Sequence, residues 1–217
     1  MDYKVYFMEV IMKQQEKTRI TKERILDAAL KEFGTKSYEA ASINTICSAS
    51  HISKGLIYHN FKNKDDLYLQ CVRLCYDELL EHLKSGELNY QDSLAGLQTL
   101  LERRQDFFRE HTLYSNIFFN TILQPPAHLL APIREIRKDY DEFLAACCRS
   151  IFAHLELRGG ITTDIAVEYF MIFQEMFNGY FQGKLGENGD FSSLIQDHEG
   201  KLPQLLDLML YGIAAQK

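Results

Sequence analysis

Six residues in one short run, Lys54, Gly55, Leu56, Tyr58, His59 and Asn60, form an unusual combination for a solvated helix face. They offer a cation, a stretch of bare backbone, a small apolar contact, two amphipathic rings and an amide. That mixture suits a groove of base edges between rows of phosphates, where cations and amides hydrogen-bond and apolar groups meet thymine methyls. It is the chemistry of reversible contact. Just beyond, Asn63 can cap a helix with Lys64 in its first turn, and a helix N-terminus with a lysine is a ready phosphate site.

Covalent chemistry finds less support. There is no phosphate-binding glycine loop, no His-Glu-x-x-His and no Gly-x-Ser-x-Gly, so no enzyme is expected. Histidine and carboxylate pairs such as His82 with Glu81, or His198 with Glu199, are sequence neighbours and do not face each other on a helix. The five cysteines, Cys47, Cys71, Cys75, Cys147 and Cys148, are an odd count for a disulfide framework. Cys71 and Cys75 share a helix face and could form a metal pair, but read better as small buried apolar residues. No metal and no cofactor is expected.

Three helices must position the run. Thr21 reads as the cap of the first, with Ile20 and Ile25 as a staple, Ile25, Ala28, Ala29 and Phe33 as its buried stripe, and Gly34 as a left-handed stop. Ser42 caps the second. Its Ile43, Ile46 and Cys47 face inward, and Asn44, Thr45 and Ser48 face away. After the turn His51-Ile52-Ser53, Ser53 caps the third, which Ile57 and Phe61 hold to the other two. Two short helices joined by a tight turn and braced by a longer one make a helix-turn-helix, whose second helix enters a major groove.

The ordered string over 46–67, Ile-Cys-Ser-Ala-Ser-His-Ile-Ser-Lys-Gly-Leu-Ile-Tyr-His-Asn-Phe-Lys-Asn-Lys-Asp-Asp-Leu, closely resembles the signature of the tetracycline-repressor (TetR) family of transcription regulators. Ile46, Ile52, Ser53, Gly55, Ile57, Tyr58, Phe61, Lys64 and Leu67 fall in register. The run Ile-Leu-Asp-Ala-Ala-Leu-Lys-Glu-Phe-Gly over 25–34 looks like the family's first helix. The resemblance covers roughly residues 18–70. It implies base contacts by Lys54, Gly55, Leu56 and His59, with Asn44 from the preceding helix, and phosphate contacts by Ser42, Tyr58, Asn60 and Lys64. The sequence departs from the pattern at His51, where the family usually has the turn glycine, at Asn60, which replaces an aromatic, and at Leu56, which replaces a threonine. Those departures bear on which operator is read. The implied function is a ligand-responsive regulator, a repressor by family default, that binds a near-palindromic operator in double-stranded DNA as a homodimer and is released by a small-molecule inducer. The alternative is a protein of the same fold that works through a protein partner or as a ligand carrier. Salt-dependent affinity for duplex DNA separates the two.

Charge agrees with a one-ended contact. Through residue 64 there are eleven Lys and Arg against seven Asp and Glu, a net of +4, while the remainder carries −10. A basic head on an acidic body suits a protein that touches a polyanion at one end. No apolar run reaches the roughly 20 residues needed to cross a bilayer, and the opening residues carry no signal-peptide core, so no membrane partner and a cytoplasmic location are expected.

The expected fold is all-α, with a helix-turn-helix domain over 18–64, a helical ligand-binding and dimerisation domain over 65–217, and an extension over 1–17 that is a solvated tail or a groove-reaching arm. In the second domain, periodicity predicts helices over 67–84, 91–111, 112–123, 132–157, 163–182 and 202–215. Two of these carry surplus apolar surface, which points to an oligomer interface: Phe170, Phe177 and Phe181 on one, Leu202, Leu206, Met209, Leu210 and Ile213 on the other. The resemblance pairs them across a two-fold axis as a four-helix bundle. Aromatics with interspersed polar groups, namely Phe107, His111, Tyr114, Phe118, Asn120, Tyr140, Phe143, Phe173 and Gln174, have the composition of a small-molecule pocket or of ordinary core.

Overall fold

The computed structural model describes residues 3–86, 93–185 and 190–213. Its helices are α1 (Tyr3–Phe33), α2 (Ile43–Ser50), α3 (Lys54–Asn60), α4 (Lys64–Lys84), α5 (Ser93–Glu110), α6 (Thr112–Leu123), α7 (Leu130–Phe152), α8 (Thr163–Gln182) and α9 (Phe191–Ile213), with a short 3-10 turn at Ala127–Leu129. The chain divides into two compact units, Met1–Cys71 and Val72–Lys217. Helix α4 belongs to both.

In the first unit, Ile25, Ala29, Phe33, Ile46, Ile57, Phe61, Leu67 and Tyr68 form one buried core. The apolar stripes anticipated from spacing are therefore the faces that meet. The start of the first helix differs from expectation. Thr21 is no cap, because α1 runs without a break from Tyr3, and the Thr21 hydroxyl donates back to the Lys17 carbonyl at 2.9 Å. A threonine inside a helix commonly makes that bond, so a cap-type residue alone does not mark a boundary. Residues 3–17 are accordingly helical, with the described side chains among them exposed. Gly34 likewise ends α1 without a left-handed turn; among the described glycines only Gly160 has positive φ.

The second unit packs the remainder of α4 with α5 to α9. Thr112–Leu123 is helical as expected. Helix α7 stops at Phe152, five residues short of the expected 157, and Thr162 caps α8, its hydroxyl accepting from the Ile165 N–H at 3.3 Å. The largest departure is α9, which begins eleven residues before position 202. Asp190 caps it, accepting the Ser193 N–H at 2.8 Å. The early turns of α9 are dominated by polar residues, and the inward position between Ile195 and Leu202 is a histidine, His198, only 1% exposed. Pro203 lies within this helix without ending it.

Candidate functional site

The first unit holds α2 and α3 by a sequence of caps. Ser42 accepts the Asn44 N–H on its side chain, and Ser53 accepts the Leu56 N–H. The buried Glu32 carboxylate accepts both the Ser42 N–H and the Lys36 ammonium at 2.8 Å, pinning the entry to α2. Arg24 of α1 donates to the Ser50 carbonyl at 2.9 Å, pinning its exit. The turn itself passes through His51 at φ 55°, ψ 37°, the left-handed region, and the Ile52 N–H reaches back to the Cys47 carbonyl at 3.1 Å. This is the position where a glycine would be unstrained. Histidine tolerates it better than a β-branched residue would.

With Ile57 buried, the rest of α3 faces outward. Lys54, Gly55 and His59 are exposed, as are Leu56 and Tyr58, at 41% and 43%. A Cβ built on Gly55 would meet no atom within 4 Å. Its lack of a side chain therefore answers to nothing inside the described protein. Asn60 is half-buried, and its amide nitrogen donates to the Leu56 carbonyl at 2.8 Å. Asn44 is exposed on α2, and Ser42 is half-buried at its start.

At the start of α4, the Asn63 side chain accepts the Asp66 N–H at 2.8 Å, and the Asp66 carboxylate accepts the Lys62 N–H at 2.9 Å. Lys64 lies with its ammonium 4.3 Å from the centre of the Tyr38 ring. The Tyr38 hydroxyl bonds the Asp65 carboxylate, and burial followed by that carboxylate raises its pKa well above the usual phenol value. Tyr38 was not singled out from the sequence. Its signal would have been an aromatic in a loop otherwise made of small and charged residues.

In the second unit the aromatic residues separate into two groups. Phe118, Tyr140 and Gln174 line a cavity of about 30 Å³ together with residues no sequence pattern indicated: Tyr76, Arg104, Arg137, Asn178 and His198 among them. Phe107, His111 and Tyr114 instead gather around one another, with ring centres 4.7 to 6.0 Å apart. Asn120 is buried and donates to the Asn116 carbonyl at 2.8 Å, while its oxygen accepts from Gln124. Phe143 is half-buried, and Phe173 stacks on Phe177.

The cavity wall is a polar network. Arg104 donates from one nitrogen to both oxygens of Glu199, at 2.7 and 2.9 Å. His198 sits between Glu199 at 3.1 Å and Asn178 at 3.0 Å. Burial alone would raise the Glu199 carboxyl, but Arg104 and His198 outweigh it and hold the pKa at about 2. Burial lowers the His198 pKa, against the pull of Glu199. Arg137 pairs with Asp141 at 2.9 Å and reaches Glu175 at 3.4 Å. The available signal was a charged residue within an apolar stripe: Arg104 lies between Leu97 and Phe108 on α5, and Arg137 between Ile133 and Tyr140 on α7.

The residues expected at a dimer interface are placed differently. Phe170, Phe177, Phe181, Leu202, Leu206, Met209 and Leu210 are at most 7% exposed in a single protomer. They pack between its own helices and leave no surface for a second copy. The side chain of Ile213 lies outside the described residues. Helix α8 shows another apolar stripe to solvent: Ile165, Tyr169, Ile172, Met176 and Tyr180, 48% to 69% exposed, at spacings that keep them on one face. Leu208 on α9 is 65% exposed. Aromatic enrichment of α8 had hidden the fact that it is apolar on both sides.

A capped two-helix corner, braced by a third helix and presenting an outward face of cation, bare backbone, ring and amide, defines a helix-turn-helix transcription regulator. Residues 25–71, within the first unit, match the model for bacterial regulatory proteins of the tetR family. It is 26% identical over 145 residues, 63% of this chain and 78% of the relative, to the negative transcriptional regulator IcaR of the biofilm operon icaADBC of Staphylococcus aureus. Among solved structures, NalD of Pseudomonas aeruginosa, the secondary repressor of the MexAB-OprM multidrug efflux pump, matches with TM-score 0.59 at 19% identity, over 93% of this chain and 100% of that one. FadR of Bacillus subtilis, solved with stearoyl-CoA, matches with TM-score 0.59 at 17% identity, over 88% and 98%.

Proposed function

We propose that this regulator is a repressor that binds a near-palindromic operator as a homodimer and is released by a small molecule entering its second unit. The reading rests above all on the outer face of α3. Lys54, Gly55, Leu56 and His59 are exposed together on a helix whose remaining contacts fix it in place, and Gly55 leaves open space where a nucleic-acid backbone or base could approach. On this reading these residues and Asn44 meet base edges, while Ser42, Tyr58, Asn60 and Lys64 meet phosphates and set the register.

Dimerisation would occur through the solvent-facing stripe of α8, Ile165, Tyr169, Ile172, Met176 and Tyr180, with Leu208 of α9, because a contiguous apolar face of this kind is costly to leave in water. Two recognition helices would then stand about 34 Å apart, one turn of duplex. A ligand in the second unit acts on α4, which runs from Lys64 into that unit. By linkage, operator DNA weakens ligand binding by the same factor that ligand weakens DNA binding. The protein acts in the cytoplasm and catalyses nothing on this reading; the described helices include none long and apolar enough to cross a membrane.

The test is binding to the DNA upstream of the protein's own gene, across a salt series and with scrambled competitor, followed by a genome-wide selection of bound fragments. The expected result is saturable binding of two protomers per site, with affinity falling steeply as salt rises. Recovery of no preferred sequence, with weak salt-insensitive binding, would show instead an adaptor that has kept the fold.

A further inference from the structure

A second cavity, of about 20 Å³, adjoins the polar one in composition: Arg104, Tyr140 and Gln174 line both. Beyond those shared residues the two differ. The polar cavity has Arg137, Asn178 and His198 in its wall, whereas the other is walled by six leucines, Leu101 among them, and by Phe170. We propose that the two are the ends of one site for an uncharged amphipathic molecule, with an oxygen acceptor seated at Arg104 and a hydrocarbon portion among the leucines. The proposal rests on the ligand-responsive reading above and names the class of ligand.

The acceptor follows from Arg104. The side chain is buried, Glu199 accepts from one terminal nitrogen and the Tyr140 hydroxyl also bonds the guanidinium, but Nε is buried without a hydrogen-bond partner. Interior donors are rarely left in that condition, and a carbonyl, ether or hydroxyl oxygen would complete it. The absence of charge on the ligand follows from the balance around it. Glu199 already matches Arg104, and Asp141 already matches Arg137. A carboxylate head would sit beside two carboxylates, one of which, Asp141, burial already pushes above its ordinary value. An ammonium head would face two guanidinium groups; Glu199 and Asp141 are already paired with them, and the third carboxylate, Glu175, is largely in solvent. Six leucines against the rings of Phe170 and Tyr140 make the hydrocarbon end mainly aliphatic, which suits a flexible chain.

The cavities as they stand hold about one water each. A molecule of eight or more heavy atoms enters only if the helices that line them separate. The Arg104–Glu199 pair ties α5 to α9 across this space, so filling it shifts the protein between two packings, and a ligand signals only by favouring one of them.

The full chain should be titrated with 2-alkanones from 2-pentanone to 2-undecanone, and with alkanoates and alkylammonium ions of matched length, by calorimetry and thermal shift. Ketone affinity is expected to rise about fourfold per added methylene until the leucine end is filled, with both charged series at least tenfold weaker. Leu101→Phe should shorten the chain length at which affinity levels off and leave the shortest ketones unaffected. The double variant Arg104→Met, Glu199→Met removes the pair without stranding either charge, and should lose ketone affinity at least tenfold while remaining folded by circular dichroism. Alkanoates binding as tightly as ketones, affinity indifferent to chain length, or no ketone binding at all would each overturn the assignment. The same preparation is to be assayed on operator DNA. Intact DNA binding without ketone binding rejects this ligand class alone, whereas ketone binding without DNA binding rejects the regulator reading and leaves the site standing.

Discussion

The face of α3 and the cavity wall of the second unit are both assemblies of polar and aromatic side chains, yet they are built on opposite terms. On α3, the side chains that matter are exposed, and the helix beneath them is fixed by caps and by Ile57. Around the cavity, Arg104, Glu199, His198 and Asn178 are joined to one another, and the first and third of these are almost wholly buried. An exposed polar group remains hydrated and can exchange water for a partner at small cost. A buried charge has already lost its water and depends on its neighbours for compensation. The first region can therefore be changed without loss of fold and with loss of recognition, whereas removing one member of the second leaves a buried charge uncompensated and costs stability.

The sharpest way to break that contrast is Glu199→Gln. It strands the Arg104 guanidinium in the interior, and a stranded buried charge costs roughly 3 to 5 kcal/mol, read as a lowered midpoint in urea unfolding. The pH dependence carries the same message. Because the folded pKa of Glu199, about 2, lies below its unfolded value of 4.5, its contribution is complete above pH 4.5 and is lost as pH falls toward 2. The shift corresponds to about 3 kcal/mol. His198, depressed below 6.5, adds an earlier loss as pH falls through the unfolded value. Glu199→Gln should remove the lower step, and an unchanged acid profile would show that the pair contributes nothing.

Next in size are Lys54→Ala and His59→Ala. Each removes a proposed base contact and should change which operator variants are preferred by about 1 to 3 kcal/mol, while stability stays within about 0.5 kcal/mol. Lys64→Ala and Tyr58→Phe, as proposed phosphate contacts, should weaken binding to all sequences alike. Equal losses on specific and scrambled DNA for all four would reject the division of roles. Gly55→Ala separates the two properties most cleanly. Alanine in a helix is favoured over glycine by up to about 1 kcal/mol, and the added Cβ meets nothing within the described protein. The variant should be as stable as the parent or more so, yet bind operator less well. Unimpaired binding would mean that nothing approaches this backbone closely.

How legible each region was in the sequence follows from the same contrast. The α3 face is local: its cap, anchors and outward residues lie within nine positions, so spacing alone placed them. The cavity is not. Arg104, Arg137 and His198 come from three helices, and on each helix they occupy a position that an apolar residue would otherwise hold. Nothing in any one segment says that the three exceptions converge. The same limit affected α8, where aromatic richness was read as one sticky face and proved to be two, Phe170, Phe177 and Phe181 inward and Ile165, Tyr169, Ile172, Met176 and Tyr180 outward. Periodicity gives the faces of a helix, but which face meets its own chain depends on neighbours distant in sequence. At α9 the misplaced start has a related cause, since a buried histidine reads as a polar residue until its partners are known.

The smallest predicted effect tests whether the exposed region borrows any of the order that characterises the buried one. Lys64 is proposed to meet a phosphate, and a lysine on a free stem would lose side-chain entropy on doing so. Here its ammonium lies over the Tyr38 ring at 4.3 Å, and Tyr38 is itself held by Asp65 and by ring contacts with Phe33 and Tyr68. A cation over an aromatic face at such a partly exposed site contributes about 0.5 to 1 kcal/mol. Tyr38→Phe keeps the ring and loses only the hydroxyl bond to Asp65, whereas Tyr38→Leu loses the ring. If the ring positions Lys64, Tyr38→Leu should weaken DNA binding about two- to five-fold on specific and scrambled sequences alike, Tyr38→Phe should bind nearly as the parent does, and in a Lys64→Ala background the two should be indistinguishable. A Tyr38→Leu defect that persists in that background would place the role of Tyr38 in the packing of the first unit.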